Sequence, residues 1–269
     1  MIAVAGLTAV AGALLGAPAN ATTGPARDIT PPSVTIEPFV RFVAGTTVAT
    51  SYDARGSIDN FDVNMVADWT VSDASGICSQ QLTEQSYDTL GGDPDPILGS
   101  DTVTTSIGRG VRSHPFVEDA QNYWRIPHRF VVRVTDCAGN TAVSGISTTS
   151  INVDEDNSRV VTYTGTWATG HFAGFSGGTT HFTSVAGATA TFHVGAGAVA
   201  IAMEQAANRG SATVKVDGVL QQTVNSNSIT KQHRRVVWQT LLGPGDHTVQ
   251  VVNDATAGHP RIDFDVILD

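Results

Sequence analysis

The sequence predicts an all-β protein built as two β-sandwiches in tandem behind a cleaved leader, and three observations carry this. Short runs of Val, Thr, Ile, Phe and Tyr alternate apolar with polar residues, the period of a half-buried strand. Gly, Asp, Asn and Pro clusters bound almost every run, as turns require. No amphipathic helix of useful length is present. Composition agrees: 27 of the 269 residues are Gly and only 15% are charged, a balance that suits strands and turns better than helices.

An uncharged apolar stretch runs from Met1 to Ala19 and ends in Ala19-Asn20-Ala21, a small-x-small cleavage signal. We expect a signal peptide over residues 1–21 and a short linker over 22–27. No Lys or Arg precedes the apolar core, which leaves room for a start further upstream. A membrane anchor is the rival reading; the Ala/Gly content and the lack of a basic stop-transfer cluster count against it. No later stretch is long and apolar enough for a span, so none is expected in the mature chain. The expected location is secreted, with cell-wall association an option. Formal net charge is -10, from 15 basic and 25 acidic residues. That balance argues against nucleic acid or an anionic membrane as partner, because both are held by clustered Lys and Arg.

The first domain is expected over 28–153. Pro31-Pro32 enforces extended backbone, and Ser33–Glu37 then alternates as a first strand. Further runs are Thr46–Tyr52, Asn64–Val71, Thr102–Ile107, Phe130–Thr135 and Gly145–Val153, divided by Ala54-Arg-Gly56, Asp73-Ala-Ser-Gly76, Gly91-Gly-Asp-Pro94 and Cys137-Ala-Gly-Asn140. The two cysteines, Cys78 and Cys137, form an even set in an exported chain and point to a disulfide worth about 4 kcal/mol. Two buried thiols are the alternative. A metal is poorly supported, since there is no C-x-x-C and no nearby His.

The motifs DITPPSVTI, ADWTVSDASGIC and VVRVTDCAGNTA stand at Asp28–Pro32, Trp69–Cys78 and Asp136–Asn140 and their surroundings. Together they resemble the Ig-like or fibronectin-III-like domains of secreted, high-GC bacterial proteins, and the resemblance implies a spacer or adhesion module. The chain departs from antibody-type domains: Trp69 precedes the first cysteine, and Thr135 stands at the tyrosine-corner position.

Residues 154–158 read as an acidic hinge, solvated and linking the domains. Asp154 and Asp156 raise calcium as an option, as do Asp93 and Asp95. Few carboxylates are in sight, however, where calcium needs about 6 to 8 oxygens, and no cofactor is otherwise indicated.

The second domain is expected over 159–269. Its strand runs are Val160–Thr166, Thr179–Thr183, Ala188–Val194, Ala198–Met203, Ala212–Val216, Val219–Val224, His233–Leu241, His247–Asn253 and Arg261–Leu268. Asp217-Gly218 between alternating strands is the type I′ hairpin signal. About nine short strands suggest a jelly-roll sandwich. Gly165–Trp167, Ser176–Gly178, Thr189–Phe192, Arg209–Gly218 and Leu242–Val249 follow one another in the pattern of a C-terminal module of secreted bacterial proteins. They resemble galactose-binding-like, carbohydrate-binding-module-like sandwiches, with Asp263–Val266 matching the last motif only approximately. That resemblance implies the fold and leaves the ligand open.

Chemistry is weakly signalled. Gly174-Phe-Ser-Gly-Gly178 matches G-x-S-x-G, yet β-branched residues follow where a nucleophile elbow needs a helix. Ser176 is therefore read as a turn residue. His171, His181 and His193 fall at near-hairpin spacing and raise a metal, although strand histidines more often bond a neighbouring carbonyl. For glycoside hydrolysis Glu204 has partners, Asp217 and Asp246, placed only in turns. We expect no enzyme activity. Sugars stack on aromatic rings, and Trp167, Phe172 and Phe175 cluster around Gly-rich loops, so these three are the candidate ligand residues. Trp238 alternates as core. The expected partner is an extracellular polysaccharide or glycan; a surface protein bound without a sugar site is the alternative.

Overall fold

The computed structural model describes residues 27–52, 58–86, 102–121, 128–149 and 151–269. The expected signal peptide, the Ala54–Gly56 turn and the Asp93/Asp95 pair lie outside the described residues. The chain is all-β, as the sequence predicts. The first sandwich contains β1 (Ser33–Ile36), β2 (Arg41–Phe42), β3 (Ala49–Tyr52), β4 (Ile58–Ser72), β5 (Ile77–Ser86), β6 (Thr102–Ile107), β7 (Ser113–Gln121), β8 (His128–Asp136), β9 (Thr141–Val143) and β10 (Ser147–Thr148). The long β4 organises one sheet, pairing with β1, β2, β3 and β7; β8 and β5 centre the other, with β6, β9 and β10 beside them.

Two strands missed in the sequence reading have clear physical reasons. In β5 the buried residues are Gln80 and Leu82, between polar neighbours, so hydropathy hides the alternation. Gln80 is buried because it is satisfied: it accepts from Trp69 Nε1 at 3.1 Å and donates to the carbonyls of Gly108 (2.9 Å) and Arg109 (2.8 Å). In β7, Pro115 argues against a strand, but β7 pairs only with β4, and an edge strand tolerates a missing N–H.

The motifs of this domain converge at one end. Cys78 and Cys137 form a disulfide across 59 positions with 4.8 Å between Cα atoms. Asn140 Nδ2 donates to the carbonyls of Asp28 and Thr30 and to Asp136 Oδ2. Asp28, Asp73 and Asp136, one from each motif, have carboxylate oxygens within 4.8 Å of one another. Asp136 is fully engaged by Asn140, and Asp73 by the Ser75 backbone and hydroxyl, so the three motifs form a structural clasp.

The second sandwich contains β11 (Val153–Glu155), β12 (Thr162–Thr164), β13 (Ala168–His171), β14 (Thr179–Thr183), β15 (Thr189–Val194), β16 (Gly197–Gln205), β17 (Ser211–Val216), β18 (Val219–Asn225), β19 (Gln232–Leu242), β20 (His247–Asn253) and β21 (Ile262–Leu268). One sheet runs β13-β14-β21-β16-β19 with β11 along β21; the other runs β12-β15-β20-β17-β18. From β14 to β17, and again from β18 to β21, successive strands alternate between the sheets, the arrangement of a jelly roll. Phe192, Ile201, Met203, Trp238 and Phe264 fill the space between them. Asp217 and Gly218 both take positive φ, 52° and 77°, as a type I′ turn requires.

The hinge expectation is corrected. Val153–Glu155 is a strand hydrogen-bonded to β21, and Asp156 is fully buried. Its carboxylate accepts from Thr179 Oγ1 at 2.8 Å and meets His181 Nδ1 at 2.6 Å. Pairing to the last strand half-buries Val153–Glu155, so the chain enters the second sandwich already at Val153. The domains are also joined laterally. Gly45 N donates to Val236 O, Val236 N to Thr46 O and Val48 N to Arg234 O, which adds residues 45–48 to the free edge of β19. Ala200, Ala202, Val236, Val266 and Leu268 sit in one apolar core with Phe42, Met65 and Phe130 of the first domain. No helix among the described residues is long and apolar enough to cross a membrane.

Two predictions follow from this architecture. Replacing Cys78 and Cys137 by Ser should cost about 4 kcal/mol in denaturant unfolding, the loop-closure value for so long a loop; no loss would show that the clasp alone sets the stability. The second concerns His128, which lies 2.9 Å from Glu84 Oε1 and 3.7 Å from Glu118 Oε2. Burial works to lower its pKa, but the Glu84 hydrogen bond and the Glu118 charge together raise it; the same hydrogen bond lowers that of Glu84. The raised imidazole contributes stability that is complete below about pH 6.5 and is lost as pH rises through its folded pKa. The lowered Glu84 contributes above about pH 4.5 and loses this as pH falls. Melting temperature should therefore fall as pH rises above about 6.5, and His128→Gln should flatten that decline. An unchanged slope would rule the pair out as its source.

Candidate ligand-binding surface

The candidate surface lies on the outer face of the β13-β14-β21-β16-β19 sheet, where the first domain stops covering it. Along β16, Val199, Ile201 and Met203 point into the sandwich while Ala200 and Ala202 face the first domain. The next outward residue is Glu204. It is fully buried and ion-paired with Arg209, with His233 Nδ1 at 2.8 Å and Lys231 Nζ at 3.7 Å from its Oε2. Arg209 also pairs with the buried Asp263 of β21, which Arg261 Nε meets at 3.0 Å. Burying a carboxylate is tolerable only with such partners. Gly210 is required here because a Cβ would lie 2.0 Å from His259 O, which explains the Arg-Gly pair of the motif.

The three candidate aromatics part company. Phe172, just past β13, is 52% exposed, whereas Phe175 is only 5% exposed. The two rings meet edge to face at 6.0 Å, and His233 packs on both, at 4.9 and 5.0 Å. Gly174 permits this: a Cβ there would lie 2.5 Å from the Phe172 ring and 2.8 Å from His233. Trp167 belongs to another group. Its ring lies 4.9 Å from Tyr163, which stacks on His181 at 4.4 Å, and its Nε1 donates to Thr164 O. The surface is thus Phe172, backed by Phe175 and His233, with the Lys231 ammonium 5.3 Å from the Phe172 centroid. Sequence reasoning missed Lys231, His233 and Arg209. The signal was Lys231-Gln-His-Arg-Arg235, a basic run in an acidic chain.

Beneath the loop, Ser176–Gly178 forms a 3₁₀ turn with Gly177 and Gly178 at φ 58° and 76°. Ser176 is fully buried; its N–H donates to Asp265 Oδ1 at 2.9 Å and its hydroxyl faces Glu155 Oε1 at 3.5 Å. Burial pushes the Asp265 carboxyl well above the usual range, with Asp156 and Glu155 adding to it, and burial likewise raises Glu155. The Ser176 hydroxyl meets the Glu155 carboxyl and is fully buried, so it is not presented to solvent. Asp154 accepts from Asn152 and Ser158, and Asp156 from Thr179 and His181; the two do not converge as a calcium site would require. Nor do the three histidines meet: His171 is exposed on β13, His181 faces Asp156, and His193 contacts Thr248 in the other sheet.

No family model matches the chain, and no curated protein sequence does either. Several solved structures are partly similar. A GH87 α-1,3-glucanase catalytic domain in complex with tetrasaccharides is 16% identical over 44% of this chain and 27% of that one, with a TM-score of 0.34. A family 35 carbohydrate-binding module from Clostridium thermocellum is 16% identical over 43% of this chain and 96% of the module, at 0.33. An exo-β-1,3-galactanase from Phanerochaete chrysosporium is 13% identical over 85% of this chain and 69% of that one, at 0.34. The chain thus spans about a quarter (27%) of the glucanase domain's length, and likeness this distant leaves function to the side chains.

Proposed function

We propose that this chain is a secreted, non-catalytic binding protein whose second sandwich holds an extracellular polysaccharide or glycan, with cell-wall association as its setting. The observation that carries the reading is the Phe172 ring: half exposed, fixed from behind by Phe175 and His233, and rimmed by the Lys231 ammonium. A sugar presents an apolar C–H face to such a ring while its hydroxyls take the polar rim. The first domain acts as an Ig-like stem that braces the module through the shared core. Absence of catalysis is supported by Ser176, which is fully buried, and by Glu204 and Asp263, both tied into arginine pairs. The second reading is a surface module that docks a protein. Val219 and Leu220, 63% and 60% exposed on the edge strand β18, favour it as a pairing edge.

Retardation of the full-length chain in gels containing soluble polysaccharides tests the choice. Phe172→Ala should weaken retention about tenfold, the worth of one aromatic contact, whereas Trp167→Ala should leave it unchanged. Native protein that no polysaccharide retards would overturn the sugar reading in favour of protein docking.

A further inference from the structure

We propose that the glycan bound at Phe172 is acidic, carrying carboxylate or sulfate substituents that Lys231 takes as an ion pair; the inference rests on the sugar-binding reading above. Lys231 is one of only two lysines in the chain. Its side chain is 57% exposed, and its ammonium lies over the exposed ring, within reach of substituents on a sugar stacked there. The carboxylates nearby do not present themselves to solvent. Glu204 and Asp263 are fully buried and each is paired with Arg209, Asp263 with Arg261 as well; Lys231 also lies 3.7 Å from Glu204 Oε2, but its side chain stays open to solvent on the other side of that contact. Arg209, Arg261 and Lys231 thus set three cations against two carboxylates, and the cation with the largest exposure stands beside the platform. His233 adds no charge near neutrality, since burial lowers its pKa.

The chemistry favours an anion over a neutral hydroxyl. Laying a neutral sugar against Lys231 strips water from the ammonium and returns a hydrogen bond with no opposite charge to meet it, whereas a carboxylate or sulfate adds the coulombic attraction of an ion pair. The chain's net charge of -10 opposes a polyanion at long range. At physiological ionic strength, however, fields are screened within about 8 Å, so the contact charge decides.

The experiment uses the full chain and matched soluble polysaccharides: de-esterified and methyl-esterified pectin, carboxymethyl- and hydroxyethyl-cellulose, and dextran sulfate and dextran. The acidic member of at least one pair should bind about tenfold more tightly than its neutral counterpart. The carboxylate and sulfate arms identify which substituent is taken. Lys231→Gln should remove that preference while Lys231→Arg keeps it, and Phe172→Ala should weaken both members. Equal binding of neutral and acidic members, unchanged by Lys231→Gln but lost in Phe172→Ala, overturns the acidic class and leaves the sugar platform standing. Polyanion binding that survives Phe172→Ala is bare charge attraction and also overturns it. Failure to bind any of these polysaccharides sinks both readings.

Discussion

Two strands, β16 and β21, are walls of two cores at once, and the rest of the molecule follows from that. Every residue of β21 is buried, because its inward residues fill the second sandwich while Val266 and Leu268 pack beneath the first domain. Ala200 and Ala202 do the same for β16, and their small side chains let Phe42 and Met65 approach. A strand covered on both faces reads as a continuous apolar run. Any acid on it must find a partner inside the protein. Glu204, Asp263 and Asp265 are the three that stand there, and each draws surrounding structure toward it.

Glu204 and Asp263 are met by Arg209, which must reach them from a loop, so Gly210 has to bring that loop's backbone against His259. Asp265 is met instead by the Ser176 N–H, with its carboxyl held toward the neutral form by burial. Ser176 is therefore fixed by the acid below it, and its resemblance to a hydrolase serine ends at the glycines. Those glycines serve the turn, and Gly174 serves the rings: without a Cβ it lets Phe172 and His233 lie against the chain. The surface read here as a binding platform is the outer rim of a solution to a burial problem.

Much of this was legible in sequence where the cause is local. Asp217-Gly218 names its hairpin, Cys78 and Cys137 their bridge, Trp238 its inward alternation, and β14 and β20 their bounds, because backbone geometry and period-two burial act on adjacent residues. What escaped depends on distant partners. Strand β5 is polar in composition and is held by Gln80 bonding to a loop beyond β6. The hinge looked solvated because all five of its residues are polar or acidic, yet Asp154 and Glu155 pair with the final strand and Asp156 is fully buried. The candidate site split along the same line. Phe172, Phe175 and Trp167 are near in sequence, but only the first two share a ring cluster, since β13 carries Trp167 and Phe172 to opposite ends. Lys231, just before β19, and His233, within it, join from some sixty positions on; the basic run marks them, but nothing local places them beside Phe172.

The first domain contributes more to the platform than support at a distance. Residues 45–48 extend the sheet beyond β19, the strand that opens just after Lys231 and carries His233. The same strand places Val236 in the shared core. Register along β19 is set by its ladder with β16, and residues 45–48 brace the same strand from its other edge. An isolated second sandwich would expose Val266, Leu268, Ala200 and Ala202 and free that edge, loosening both the fold and the rim at once. The proposed platform and the brace share one strand, so the two domains act as a single unit rather than as a module on a passive spacer.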